Sequence, residues 1–348
     1  MRMILPFGLA LAALIGLTGC SQSSDNATSS SEETTILRFS HLWPATAATH
    51  TEIFEPWAKK VEEESGGRIK VEIYPSATLS KGGATYDATA KGAVDIGSEL
   101  QGYTAGRFPL TQITELPGLS SSATQMNCML QTLYDDGVIS SEYEDTHLLF
   151  MMGTGPGGIH TIDNPISKPD DLKGLRIRRP SAIAGDIIEA AGGTPVGLPA
   201  PDLYTSLQRG VLDGVSLPWD ATGSFRLIEL TNTHTNIPFY SSAIVVTMNK
   251  GRYEGLPEEL KQVIDNNSGK MMAALAGKVF DADDDKFMAE AKAKGDVMID
   301  IPDPLNDPAW KAPLEAGTQK YLKDIETLGL DAKTVYQKAK EASAACKS

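Results

Sequence analysis

Three sets of residues in this chain have types and spacings suited to chemistry: a run of arginines, five histidines and three cysteines. The arginines lie in Gly174-Leu175-Arg176-Ile177-Arg178-Arg179-Pro180. In an extended strand Leu175 and Ile177 share one face, and Arg176 and Arg178 share the other. A guanidinium is a planar fork of donors that matches both oxygens of a carboxylate. Arg178 lies nearer the carboxyl end of the strand, where doubly wound sheets bind their ligands, so it is a candidate anion anchor. A solvated basic strand on an acidic protein would have the same pattern, and the residues alone leave both readings open. Arg176 and Arg179 read as surface or structural. His41 and His50 stand nine residues apart across a proline, which fits no compact metal site, so no metal or other cofactor is expected. The glycine-rich turn Gly-Thr-Gly-Pro-Gly-Gly at 153–158 lacks the Lys-Ser/Thr of a phosphate loop, and no Gly-x-Ser-x-Gly elbow occurs. Hydrolase and kinase chemistry therefore lack a nucleophile and a phosphate cradle, and no enzyme is expected.

The first cysteine belongs to an export signal. An apolar run at 4–17, too short for a stable span, ends in Leu17-Thr18-Gly19-Cys20, which resembles a bacterial lipobox. Residues 1–19 are read as a lipoprotein signal peptide, Cys20 as the lipidation site and mature N-terminus, and 20–35 as a polar, flexible tether. Cys128 lies in an apolar helical run and Cys346 in a polar tail; export would allow a disulfide between them, but a buried free thiol is the simpler reading and no disulfide is expected. A net charge of -14 argues against binding nucleic acid or anionic lipid through the overall field, yet leaves room for a local arginine to hold an anion.

The elements that position these groups alternate. A strand at 36–40 precedes a helix at 49–65, followed by strands at 69–73 and 93–97 with a helix at 86–91 between them. After 148–152 the alternation resumes through strands at 158–162, 175–178, 195–198 and 211–216, with helices at 185–191 and 201–209. A further strand at 243–248, a single long helix at 257–279 and a strand at 297–301 complete the reading. This is an α/β chain of two doubly wound lobes with parallel sheets, and the turn at 153–158 is the crossover between them. The lobes are assigned as 36–155 plus 244–283 and 156–243 plus 284–340.

The order of motifs resembles the solute-binding component of tripartite ATP-independent periplasmic (TRAP) transporters. The resemblance rests on FSHLWPA at 39–45, GAVDIGS at 92–98, PDDLKGLRIRRPS at 169–181, GGTPVGLPAPDLYTSLQRGVLDGV at 192–215 and MNKGRYEGLPEELKQVI at 248–264. It implies periplasmic-binding-protein lobes joined by crossing strands, a long C-terminal helix spanning both, and delivery of a small organic acid to membrane permease subunits. It also implies that Arg178 pairs bidentately with the ligand carboxylate. Many relatives carry an asparagine before a proline where this chain has Leu217-Pro218-Trp219, and an arginine or aromatic residue where it has His160. Losing that bond donor and a second fixed charge favours a monocarboxylate, aromatic or otherwise apolar, over a diacid, with Trp219 supplying an apolar face.

His41 and Trp43 close the first strand, and Gln101 and Tyr103 follow the 93–97 strand on the same side; each is read as facing the ligand or packing at the lobe rim. Phe239 and Tyr240 precede the 243–248 strand, where one of them serves as hinge or pocket wall. Trp57 and Trp310 read as core. A ligand sensor that reports to a membrane receptor, and a periplasmic enzyme acting on organic acids, are the other classes compatible with export.

Overall fold

The computed structural model describes residues 34–347, so the signal peptide, Cys20 and nearly all of the tether lie outside it. The first elements are β1 (Thr35–Ser40), α1 (Glu55–Glu64), β2 (Ile69–Tyr74), α2 (Thr85–Ala90), β3 (Ile96–Leu100), α3 (Ala123–Asp135) and β4 (Thr146–Gly153). Next come β5 (Gly158–Thr161), β6 (Arg176–Arg179), α4 (Ala182–Ala190), β7 (Thr194–Gly197), α5 (Leu203–Gln208), β8 (Gly214–Leu217), α6 (Trp219–Ser224) and β9 (Thr233–Asn236). Then follow β10 (Ala243–Asn249), α7 (Lys250–Glu254), α8 (Glu258–Asn266), α9 (Lys270–Lys294), β11 (Val297–Asp300), α10 (Lys311–Thr327) and α11 (Ala332–Ala345).

The strands form two sheets, ordered β2-β1-β3-β10-β4 and β11-β9-β5-β8-β6-β7. In β1 the alternation is plain: Leu37 and Phe39 are fully buried and Ile36 is exposed. The sheets differ from the expected all-parallel form at one strand each. β10 runs against β3 and β4, and β5 runs against β8 and β9. These two strands arrive directly from the other sheet, through 154–157 and 237–242, without the crossover helix that a parallel neighbour needs.

The helix expected over 257–279 is two helices. α8 stops at Asn266, and Gly269 takes φ +66° and ψ -143°, a conformation that only glycine adopts freely. The break has a structural use, since Trp57 Nε1 donates to the Asn267 carbonyl at 2.8 Å. Both Trp57 and Trp310 are buried core residues, as expected.

α9 packs on α3 beside the first sheet and on α6, which leaves the second. Gly277 lets α9 approach α3 closely, because a Cβ there would lie 2.7 Å from Thr124 Cα. One turn on, Asp281 accepts bonds from Ala123 N and Thr124 N (2.6 and 3.0 Å), and Asp284 accepts from Asp220 N at 2.6 Å. Carboxylates on a single face of α9 thus cap the N-termini of α3 and α6. No helix among the described residues is long and apolar enough to cross a membrane.

The expectation of two free thiols is overturned by a Cys128–Cys346 disulfide with Cα atoms 5.8 Å apart. α11 folds back onto α3, where Gln125 Nε2 donates to the Ser343 carbonyl at 3.0 Å and to its Oγ at 3.1 Å. That docking brings the tail cysteine beside Cys128.

Candidate functional site

Arg178 enters the site from β6, between Val196 of β7 and Val215 of β8. Its neighbour Arg176 turns to the surface and forms an ion pair with Asp213 at 2.9 Å. Arg178 is 2% exposed. Its Nε donates to the Leu198 carbonyl (2.9 Å), Nη1 to the Ser216 carbonyl (3.1 Å) and Nη2 to Tyr103 Oη (3.0 Å). A guanidinium has five N–H groups, so one on each Nη is left over. Among the described residues no carboxylate forms an ion pair with Arg178. A buried cation without a paired anion is costly.

Tyr103 reaches Arg178 from the other sheet, just beyond β3. Its oxygen accepts from both Arg178 Nη2 and Ala200 N (2.9 Å), which leaves its own proton free to donate. Arg178, Tyr103, Trp43, Leu217 and Pro218 border one narrow cavity of about 30 Å³. That is room for about two waters. Leu42, Leu100, Ala221 and Phe225 add apolar wall, and Thr154, Ser242 and Asp220 are polar members.

The other residues singled out in the sequence lie behind this wall. Trp219 swings away from the cavity, because it begins α6 and its indole packs on His160 and His234, with both ring centroids 4.8 Å distant; its Nε1 donates to Asn236 Oδ1 at 2.8 Å. His160 is fully buried and its Nε2 lies 3.1 Å from the Leu217 carbonyl. A carbonyl only accepts, so Nε2 carries the proton, while Nδ1 lies 2.8 Å from His234 Nδ1, whose own Nε2 faces Asp296 Oδ2 at 3.0 Å. Burial, reinforced by His234, presses the His160 pKa down to about 3, so it props the wall as a neutral ring. His41 is tied to His50 at 2.9 Å and is likewise held down to about 3, by burial first and then by His50. Gln101 donates to Tyr143 Oη at 3.1 Å, away from the cavity. Tyr240 is buried beside Ser216, and neither hydroxyl meets a partner at bonding geometry.

Of the cavity residues missed in the sequence, Thr154 belongs to the glycine turn already noted and Asp220 follows Trp219. Phe225 gave no signal. It reaches the cavity because α6 turns the chain back toward Leu217.

At the crossing segment Glu115 accepts from Ala243 N at 3.0 Å, and its Oε2 has no partner. Burial raises its pKa from an ordinary 4.5 to about 7, opposed by the bond from Ala243 N and by the nearby Ser181 hydroxyl. The folded chain holds this proton more tightly than the unfolded one, so the associated stability is full below pH 4.5 and is lost as pH rises through 7. Glu115→Gln, a mimic of the protonated form, should match the native protein near pH 5 and exceed it at pH 8 by on the order of 1–3 kcal/mol. Melting temperatures at the two values check this, and a gap that does not grow with pH contradicts it.

Two sheets exchanging strands around a cleft, with one unsatisfied arginine buried in it, define a bilobal solute-binding protein. The chain belongs to the bacterial extracellular solute-binding proteins, family 7, whose model matches residues 39–324, and it is of the TRAP type. A marine-metagenome TRAP solute-binding protein, specific for aromatic acid ligands and crystallised with 3-hydroxybenzoate, is 34% identical, with a TM-score of 0.83 over 91% of this chain and 100% of that one. A TRAP solute-binding protein from Rhodoferax ferrireducens T118 with copurified benzoate is 31% identical, with a TM-score of 0.84 over 90% and 98% of the two chains. The outer membrane transporter protein TsaT of Comamonas testosteroni is 28% identical over 292 residues, 82% of this chain and 83% of that protein.

Proposed function

We propose that this protein captures an aromatic or otherwise apolar monocarboxylate in the Arg178 cavity and delivers it to TRAP membrane permease subunits. The observation that carries this reading is the buried guanidinium of Arg178, with two donors unspent and no ion-pair partner. Tyr103 Oη supplies a third donor for the same carboxylate. Trp43, Phe225, Leu217 and Pro218 offer the rest of the ligand a largely apolar surface. One fixed cation matches one acid group, and the two similar proteins crystallised with 3-hydroxybenzoate and benzoate carry ligands of this kind.

A cavity that takes a benzene ring measures about 150 Å³. Entry therefore requires the cleft to part, breaking the Tyr103–Arg178 and Tyr103–Ala200 bonds that cross it. The hinge divides 36–155 plus 244–283 from 156–243 plus 284–340, with the crossing segments as pivots. Export and lipidation at Cys20 would tether the protein outside the cytoplasm, and the disulfide suits an oxidising compartment.

A thermal-shift screen of carboxylates tests the proposal. Benzoate or 3-hydroxybenzoate at a hundred times its dissociation constant should stabilise the protein by about 2.7 kcal/mol. Dicarboxylates should do far less. Stabilisation by diacids alone, or by neutral solutes, would overturn the monocarboxylate reading.

A further inference from the structure

We infer that Asp220 is a specificity residue: its carboxyl hydrogen-bonds a hydroxyl group on the ligand, so the preferred solute is a hydroxylated aromatic or apolar monocarboxylate. The inference rests on the proposal that Arg178 holds the ligand's acid group. Asp220 borders the same cavity as Arg178 and is 2% exposed. Its Oδ1 is buried with no hydrogen-bond partner.

The fold favours a carboxyl here only through its place in the first turn of α6 and the nearby Ala221 N–H, and leaves Oδ1 unpaired. The neighbouring charges are Asp284 and Asp283 on α9, both of the same sign, and Asp220's own backbone N–H is spent on Asp284 Oδ1 at 2.6 Å. A buried, unpaired polar atom beside like charges lowers stability; leucine of similar size would avoid both costs, asparagine only the charge. Such a residue fits a role toward ligand better than a role in packing.

Its chemistry also differs from that of its neighbours. Thr154 Oγ1, another polar group on the cavity, is already committed: it accepts from Ser242 N at 3.0 Å and donates to the Gly155 carbonyl at 2.9 Å. Ala221 and Phe225, just beyond Asp220, are apolar. A ligand hydroxyl at Asp220 would satisfy the orphan Oδ1, whereas an unsubstituted ring would leave it desolvated and unpaired. Burial first, then Asp284 and Asp283, hold the Asp220 pKa well above the ordinary carboxyl range, which favours the protonated form, and a protonated carboxyl both donates and accepts.

Calorimetric titration of two matched pairs tests this: benzoate against 3-hydroxybenzoate, and phenylacetate against mandelate. The native protein should bind the hydroxylated member of at least one pair tighter by on the order of tenfold to a hundredfold. Asp220→Leu should bind both members of that pair about equally, and Asp220→Asn, which keeps a donor and an acceptor, should retain most of the preference. Both variants should melt at or above the native temperature, since each removes a buried carboxyl whose ionisation is opposed by burial and by Asp284 and Asp283; Asp220→Ala replaces the leucine variant if that one does not fold. The inference is overturned if the native protein shows no preference in either pair, or if the Asn and Leu variants behave alike. Arg178-dependent binding without a hydroxyl preference would sink the inference alone. Binding of these acids that ignores Arg178, or no binding at all, would sink the proposed function with it.

Discussion

Arg178→Ala is expected to weaken benzoate binding by roughly 30- to 4,000-fold, the effect of about 2–5 kcal/mol for truncating one member of a buried charge pair. Most of that loss arises because the ligand carboxylate would still shed its water on entering the cavity and would find only Tyr103 Oη to meet it. Arg178→Lys should lose less, since the charge survives while the fork does not. The same substitution unties the Leu198 and Ser216 carbonyls, so a modest fall in melting temperature should accompany it. Arg176→Ala is the control. Arg176 spends its charge on Asp213 at the surface, and its loss should leave affinity within about threefold of native. Near-native binding by Arg178→Ala would show that the guanidinium is structural.

The second large effect concerns stability. Cys128 and Cys346 are 218 positions apart, and a cross-link that closes so long a loop removes many conformations from the unfolded chain. Cys346→Ser, or reduction of the native protein, should cost about 2–4 kcal/mol and lower the melting temperature by several degrees. Affinity should hold, because the bond joins α11 to α3 and neither cysteine borders the Arg178 cavity. Unchanged melting would mean that the docking of α11, through Gln125 and Ser343, suffices without the covalent bond.

Local patterns in the sequence carried the architecture. The alternation of Leu37 and Phe39 and the glycine turn at 153–158 each act within a few residues. Such patterns set strand faces and a crossing point. The opposed faces of Ile177 and Arg178 were legible for the same reason.

What was hidden depends on partners distant in the chain. His160 is set by His234, 74 positions on, and Cys128 by Cys346. The direction of Trp219 was lost for a different reason. α6 begins at that residue, and each helical step rotates the side chain by about 100°, so Asp220 borders the cavity while the larger ring beside it turns inward. Residue size favoured Trp219 in the sequence; the geometry of a helix start decided otherwise. The break before α9 was within reach, since Asn267-Ser268-Gly269 is a turn sequence inside an otherwise helical run.

The measurement closest to the central claim is calorimetric titration of the native protein with benzoate and with its methyl ester, which preserves the ring and removes the charge. Binding of the acid with none detectable for the ester is the expected result, because only the anion neutralises Arg178. Equal affinity for the two would contradict it, since the ligand would then be held by its ring while the guanidinium stayed unpaired.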